Sequence, residues 1–273
     1  MVPGVGGGGG VLSTMAQCDG EVKMAAEQSE TRALSVTYAD GQTESWPFSE
    51  DSPLVLEAWT AAEERKSCDP THAQKPSFLF PSLRAKPWWD ASKDAPEFVR
   101  ALQAAHDDLV EEATRLLACD GWAGQEEGLH AGEWEQFTLY SGGTRTSASR
   151  RAPVAMRLLE SLAADAVSRP RIMLEAPGRA YYSKILSNTH VRPHCGPTNH
   201  RLRLHWALVI PPASAETLHI RVANETRTWL VGTALLFDDS FEHEVRFLGS
   251  TCENGTRVVF VLDLWHPDMS LAG

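Results

Sequence analysis

The chain has 273 residues, 22% of them charged and 42% hydrophobic, with a formal net charge of −11. That length admits one sizeable domain with an appendage, and so acidic a balance argues against a nucleic-acid partner, which calls for a basic face. No apolar run approaches the roughly 18–20 residues of a spanning helix, so no transmembrane segment is expected. The five cysteines, Cys18, Cys68, Cys119, Cys195 and Cys252, are odd in number and form no C-x-x-C pair. With a Gly-rich start that lacks a basic, apolar leader, they point to a soluble, cytoplasmic protein with reduced thiols.

Residues 1–30 are Gly-rich, then polar and acidic without a period, and are expected to be disordered. Between Ala33 and Thr60 the sequence predicts a small hairpin around Asp40-Gly41 and then a short helix. Cys68 to Ser77 is a polar linker containing Pro70 and Pro76. The chain therefore divides into a flexible or poorly structured region, 1–73, and a folded domain, 74–273. Pro87-Trp88-Trp89-Asp90 is an aromatic turn. Phe98, Leu102, Leu109, Ala113 and Leu116 recur at helical spacing and predict one helix from about Pro96 to Ala118 with a buried face. Trp134–Tyr140 reads as a strand and Met156–Ala166 as a second amphipathic helix.

Beyond residue 170 the character changes. Arg171–Leu174, Ala180–Leu186, Arg201–Ile210, Thr217–Val222, Thr226–Leu230, Thr233–Phe237, His243–Phe247 and Arg257–Leu264 read as short strands. Turn signals at Asn188-Thr189, Pro211-Pro212, Gly232 and Asn254-Gly255 separate them. Such a series predicts a mainly β fold, a double-stranded β-helix (jelly roll) with a helical N-terminal layer.

In Arg201-Leu202-Arg203-Leu204-His205-Trp206 the polar residues share one strand face and the apolar residues the other. A solvated outer face produces this pattern, and so does an anion-binding wall inside a barrel; alternation does not choose. His190-Val-Arg-Pro-His194-Cys-Gly-Pro-Thr-Asn199 reads as a histidine-containing loop bounded by Pro and Gly. His243 lies in a second segment, and Arg257 opens an apolar strand. Two histidines and a later arginine on successive jelly-roll segments match non-haem Fe(II) oxygenases, in which a basic residue takes the far carboxylate of 2-oxoglutarate. In a chain with ten histidines, ordinary core or surface histidines are the competing reading.

Longer motifs carry a resemblance. His190 to His205, Ala223-Asn-Glu-Thr-Arg-Thr-Trp229, Leu236 to Val245 and Asp263-Leu-Trp-His-Pro267 resemble the signatures of the aspartyl/asparaginyl β-hydroxylases. So, nearer the N-terminus, do Gln74-Lys-Pro, Ala85-Lys-Pro-Trp-Trp-Asp90 and Trp134-Glu-Gln-Phe-Thr-Leu139. The resemblance implies an Fe(II)- and 2-oxoglutarate-dependent dioxygenase that uses O2 to hydroxylate the β-carbon of Asp or Asn in a polypeptide. It implies His194 and His243 as metal ligands. Arg257 and Ser183 would hold the distal carboxylate of 2-oxoglutarate, with Trp134 bordering it and Arg203 and His205 near its metal-bound end. Arg201 and Arg203 become candidates for a substrate carboxylate. The duller readings are a core Trp134, a Ser183 that satisfies backbone, and a surface Arg201, with His190, His200 and His266 structural.

Two departures stand out. Many Fe(II) oxygenases carry an acid two residues after the first histidine, where this chain has Gly196; the resembling family lacks it too. Asp238 and Asp239 then read as turn or supporting groups. The interval from His243 to Arg257 is longer than usual and holds Asn254-Gly255, a hairpin signal. Gly142 to Arg151 contains none of the cysteines of the animal enzymes, which weakens a secretory reading. Three alternatives stay open: a polypeptide substrate, a free or carrier-bound amino acid or lipid acyl chain, or a non-catalytic binding module on the same fold.

Overall fold

The structure is a computed structural model. It describes the strands within residues 15–48 and residues 74–269, apart from 77–78, 81, 126–128, 166–169, 176–177, 213–215 and 250–254. In the first stretch β1 (Met15–Ala16), β2 (Gly20–Ala25), β3 (Arg32–Tyr38) and β4 (Thr43–Phe48) form an antiparallel sheet in sequence order. β3 and β4 are the hairpin expected around Asp40-Gly41. β1 and β2 fall where disorder was expected. The alternation Glu21-Val22-Lys23-Met24 supports a strand there but is too short to stand out from its polar surroundings. The short helix expected next lies outside the described residues, as does the Asn254 side of the expected hairpin.

The body starts with β5 (Trp88–Trp89) and three helices, α1 (Ala91–Asp94), α2 (Pro96–Ala104) and α3 (His106–Leu117). The single helix expected over 96–118 is thus two, broken at Ala105, whose ψ of 5° leaves the helical region. After β6 (Ala123–Gly124), β7 (Leu129–Ala131), β8 (Trp134–Ser141) and β9 (Thr144–Arg145) comes α4 (Pro153–Ala164). Pro153 begins α4 where its missing N–H costs nothing. Ala152 has no side-chain oxygen to cap the helix, so Glu112 of α3 does so from outside, accepting from Val154 N at 2.7 Å and Ala155 N at 3.0 Å. The buried Tyr182 hydroxyl donates to the same carboxylate at 2.8 Å.

The remaining strands are β10 (Arg179–Leu186), β11 (Thr189–His194), β12 (Arg201–Val209), β13 (Leu218–Val222), β14 (Glu225–Arg227), β15 (Ala234–Phe237), β16 (His243–Phe247) and β17 (Thr256–Trp265). The major sheet runs β5-β15-β12-β17-β10-β8-β6, with β9 beside β8, and the minor sheet runs β14-β13-β16-β11-β7. This is the expected jelly roll. Segment 171–174 contributes only an isolated bridge, Ile172 to Leu264.

Two cores explain the layering. Outside the major sheet, Leu202, Leu204 and Trp206 of β12 and Phe260, Leu262 and Leu264 of β17 pack on Phe98, Leu102, Leu109 and Leu116 of the helices. Each such buried side chain contributes about 1.5–3 kcal/mol. Between the sheets, Tyr181, Ile185, Ala207, Val259 and Val261 meet Val191, Ile220, Val245 and Phe247 of the minor sheet. β17 is covered on both faces, which is why Val258 to Leu264 is almost continuously apolar. Its one acid, Asp263, is the exception that leads to the site.

Candidate active site

The alternation of β12 resolves in favour of an interior wall. Leu202, Leu204 and Trp206 face the helices, and Arg201, Arg203 and His205 face the space between the sheets. His194 closes β11 and His243 opens β16; they are paired across the minor sheet with ring centroids 4.2 Å apart. Of the segment 190–199 read as a loop, the first half is therefore strand, Thr189–His194, and the rest is not. Pro193 has no N–H for the ladder, and the register breaks between Val191 and His194 to accommodate it.

Both imidazoles are oriented by main-chain carbonyls. His194 Nδ1 lies 2.8 Å from the Arg192 carbonyl and His243 Nδ1 2.9 Å from that of Phe241. A carbonyl only accepts, so Nδ1 carries the proton in each ring and Nε2 keeps its lone pair. That is the tautomer of an oriented metal ligand. Burial, reinforced by the neighbouring His194, pushes His243 down to about 3 and keeps it neutral.

Space explains Gly196. A Cβ there would lie 2.5 Å from Asp239 Cγ and 2.6 Å from each carboxylate oxygen. The Gly196 N–H also donates to the Asp239 carbonyl at 2.6 Å. The place of an acid at 196 is thus filled by Asp239, which faces the arginines. Arg201 donates through Nη2 to Asp239 at 2.7 Å and through Nη1 to Asp263 at 3.3 Å. Arg203 donates through Nε to Asp263 at 2.9 Å, with Nη1 3.2 Å from Asp239. Burial alone would raise Asp239, but the two guanidiniums hold it below the usual carboxylate range. Arg201 is only 3% exposed, so it is not the surface charge that alternation admitted.

Arg257 is different. It is 2% exposed, and no carboxylate among the described residues pairs with it. Its Nε has no hydrogen-bond partner, its Nη1 reaches only the Ser183 carbonyl at 3.4 Å, and its Cζ lies 4.8 Å from the centre of the Trp229 ring. Burial pushes it down to about 9, still a cation at neutral pH. Around it stand the other expected residues. Trp134 Nε1 donates to Ser183 Oγ at 3.2 Å, so Trp134 is more than core and the Ser183 oxygen is used by a side chain, not by backbone. Trp229 Nε1 donates to His205 Nδ1 at 3.4 Å, which leaves the His205 proton on Nε2. Burial, then Arg257 and Arg203, hold His205 far below the ordinary histidine range and so neutral.

Sequence reasoning missed several supporting groups. Gln74 donates to Asp238 at 2.8 Å and to Ser240 Oγ at 3.1 Å, fixing the turn that leads into His243. Asp238 accepts from Ser240 N at 2.9 Å, the turn role expected of it. Asp263 and Trp229 lie in motifs that carried no individual assignment. Glu242 and Glu244 are turned to Arg221 and are not ligands. His190 pairs with Glu244, His200 Nδ1 with Thr198 Oγ1, and His266 Nε2 with the Arg84 carbonyl, all structural positions.

The donor set fits a metal with an anionic cosubstrate: two imidazoles, each with Nδ1 turned to a main-chain carbonyl, and an orphaned buried guanidinium. Among the described residues no group of three or more His, Cys, Asp or Glu could hold a metal. A double-stranded β-helix with two such imidazoles on its minor sheet defines a candidate mononuclear metal-site protein.

Residues 103–267 match the family model described as Aspartyl/Asparaginyl beta-hydroxylase, and the chain belongs to that family. It is 38% identical over 204 residues to the mouse aspartyl/asparaginyl beta-hydroxylase, covering 72% of this chain and 25% of that protein. With the mouse aspartate beta-hydroxylase domain-containing protein 1 the identity is 40% over 208 residues, covering 72% of this chain and 53% of that protein. The chain thus spans between a quarter and about half of these relatives. A solved 2OG-Fe(II) oxygenase family oxidoreductase from Burkholderia pseudomallei aligns with 67% of this chain and 96% of its own, at a TM-score of 0.39 and 12% identity. Among the described residues no helix is long and apolar enough to cross a membrane.

Proposed function

We propose that the chain is an Fe(II)- and 2-oxoglutarate-dependent dioxygenase that hydroxylates the β-carbon of an Asp or Asn residue in a polypeptide. The observation that carries this reading is Arg257, a buried guanidinium with no carboxylate of its own among the described residues, across the inter-sheet space from the two paired imidazoles. A protein leaves such a charge unpaired at considerable cost unless a ligand supplies the anion. When bound, iron with 2-oxoglutarate and O2 supplies the oxidising chemistry. The chain supplies position. His194 and His243 would hold the metal through Nε2. Arg257 and the Ser183 hydroxyl would take the distal carboxylate, and Trp134 fixes Ser183 by its indole N–H. His205 would donate its Nε2 proton toward the cosubstrate. Arg203, the less buried of its pair, uses three of its five N–H donors on aspartates and keeps the others for ligand. Arg201, more deeply enclosed, is assigned to holding Asp239 and Asp263 in place rather than to contacting substrate.

The test is turnover. Protein reconstituted anaerobically with Fe(II) should convert 2-oxoglutarate to succinate slowly on exposure to O2, and faster with Asp- or Asn-bearing peptides that gain one oxygen atom. Succinate without peptide oxidation would move the substrate to a free or carrier-bound amino acid or an acyl chain. No succinate from folded protein under any Fe(II) and ascorbate condition would leave a binding module on the same fold. A second readout is independent of turnover. With only two protein ligands, Fe(II) should bind markedly tighter when 2-oxoglutarate is present. Equal affinity without it would count against the two-histidine centre.

A further inference from the structure

A fourth arginine faces the same space. Arg179, at the start of β10, lies with its Cζ 5.0 Å from the centre of the Tyr181 ring. Its Nη2 donates to Gln136 Oε1 at 2.8 Å, a neutral acceptor, and its Nε is buried with no acceptor at all. Its main-chain N–H donates to Asp263 Oδ2 at 3.1 Å, which places it beside the aspartate that Arg201 and Arg203 already occupy. Asp239 and Asp263 are thus already paired with the Arg201 and Arg203 guanidiniums, and Arg179 brings a further positive charge to this end of the wall. Among the described residues no carboxylate reaches the Arg179 guanidinium.

We propose that Arg179, held over Tyr181, is the specificity residue that receives an anionic group of the substrate and makes the site prefer an aspartate side chain over asparagine. The inference rests on the hydroxylase reading above and narrows its substrate. The arrangement is built for one orientation. The cation–π contact with Tyr181 and the hydrogen bond to Gln136 hold the guanidinium in place, so little rotamer freedom is lost at binding. An unmade hydrogen bond at a buried N–H is costly, and a carboxylate satisfies it with a charge-assisted bond that a carboxamide oxygen only partly matches. Tyr181 belongs to the same surface. Its ring is packed in the apolar core between the sheets.

The experiment measures binding with an inert metal. Protein loaded with Mn(II) and 2-oxoglutarate is titrated with N-acetyl-L-aspartic acid α-amide and with the corresponding asparagine amide, and the paramagnetic broadening of ligand protons gives each Kd. The unmodified protein should favour the aspartate ligand by ~10-fold or more, the lower end for a charged hydrogen bond. Arg179→Gln should level the two to within about twofold, and Arg179→Lys, which keeps charge without the planar fork, should retain part of the preference. Only variants that still gain thermal stability from Mn(II) with 2-oxoglutarate are compared, so a misfolded protein is recognised as such; if Arg179→Gln fails that condition, loss of part of the preference in Arg179→Lys decides. An unchanged preference in the variants overturns the proposal, and so does no preference in the unmodified protein, including no binding of either ligand. The parent reading fails separately, by the absence of succinate from the iron-loaded protein.

Discussion

The wall between the sheets treats positive charge in two ways. At the end where β12 begins and β17 finishes, Arg201 and Arg203 are closed by Asp239 and Asp263. At the other end of β17, Arg257 faces Ser183, Trp229 and His205, with no acid among the described residues. The same residue type, on adjacent strands, is paired with acids in one place and has none among the described residues in the other. The difference lies in the counter-ion. A buried pair is complete in the folded chain, whereas a buried lone charge is complete only with a ligand.

Breaking the neutralised end should have the largest effect. Asp263→Ala leaves Arg201 and Arg203 to share one carboxylate inside the protein, and removing one partner of a buried pair costs about 3–5 kcal/mol. Urea denaturation should show a lower midpoint with an unchanged slope. Arg257→Met should behave in the opposite sense. The apoprotein should be as stable as the parent or more so, because a desolvated charge is removed. What disappears is the stabilisation that 2-oxoglutarate gives the metal-loaded protein, about 2.7 kcal/mol at one hundred times Kd. If Arg257→Met destabilised the apoprotein as much as Asp263→Ala does, the contrast between the two ends would be wrong.

Gly196 sharpens the same contrast from the side of the metal. Gly196→Ala drives a methyl group into the Asp239 carboxylate, and overpacking of this kind typically costs about 1–3 kcal/mol. Gly196→Asp should be worse folded and should not tighten metal binding, since the added acid meets Asp239 before it meets the metal. Calorimetric titration of Mn(II) into each variant checks this. A Gly196→Asp protein that binds the metal more tightly would show that Asp239 yields its place easily.

Much of the architecture was legible because it depends on period. The apolar run of β17, the alternation of β12 and the helical repeat of Phe98, Leu102 and Leu109 each report burial directly. That His194, His243 and Arg257 belong together was legible through motif resemblance, not through spacing. What stayed hidden depends on partners distant in sequence. Nothing local in Arg201-Leu-Arg203 says that Asp239 and Asp263 will meet it, so the direction of that face stayed open. The strand Thr189–His194 was hidden by Pro193, whose signal as a breaker is absorbed by a register break. Arg179 and Tyr181 carry no motif, and only the lack, among the described residues, of a carboxylate on the Arg179 guanidinium marks them.

The smallest effect concerns pH, where two buried groups beside the neutralised end pull in opposite directions. Burial, followed by the adjacent Arg201, pushes His200 from 6.5 down to about 3. Between those values the unfolded chain binds a proton that the folded chain refuses, so stability from this group is complete above 6.5 and declines as the pH falls toward 3. Asp238 goes the other way. Burial raises it from 3.8 to about 7, although its hydrogen bonds from Ser240 and Gln74 oppose the rise. There the folded chain holds a proton that the unfolded chain has lost, so the contribution is complete below 3.8 and declines as the pH rises through 7. In the overlapping window, about pH 4 to 6.5, the two slopes have opposite signs and largely cancel, each limited to about 1.4 kcal/mol per pH unit. His200→Gln should therefore make stability fall as pH rises through this window, and Asp238→Asn should make it rise. Denaturation midpoints of the three proteins at pH 4.5, 5.5 and 6.5 decide it. Parallel profiles would mean that neither group titrates differently in the folded and unfolded chains.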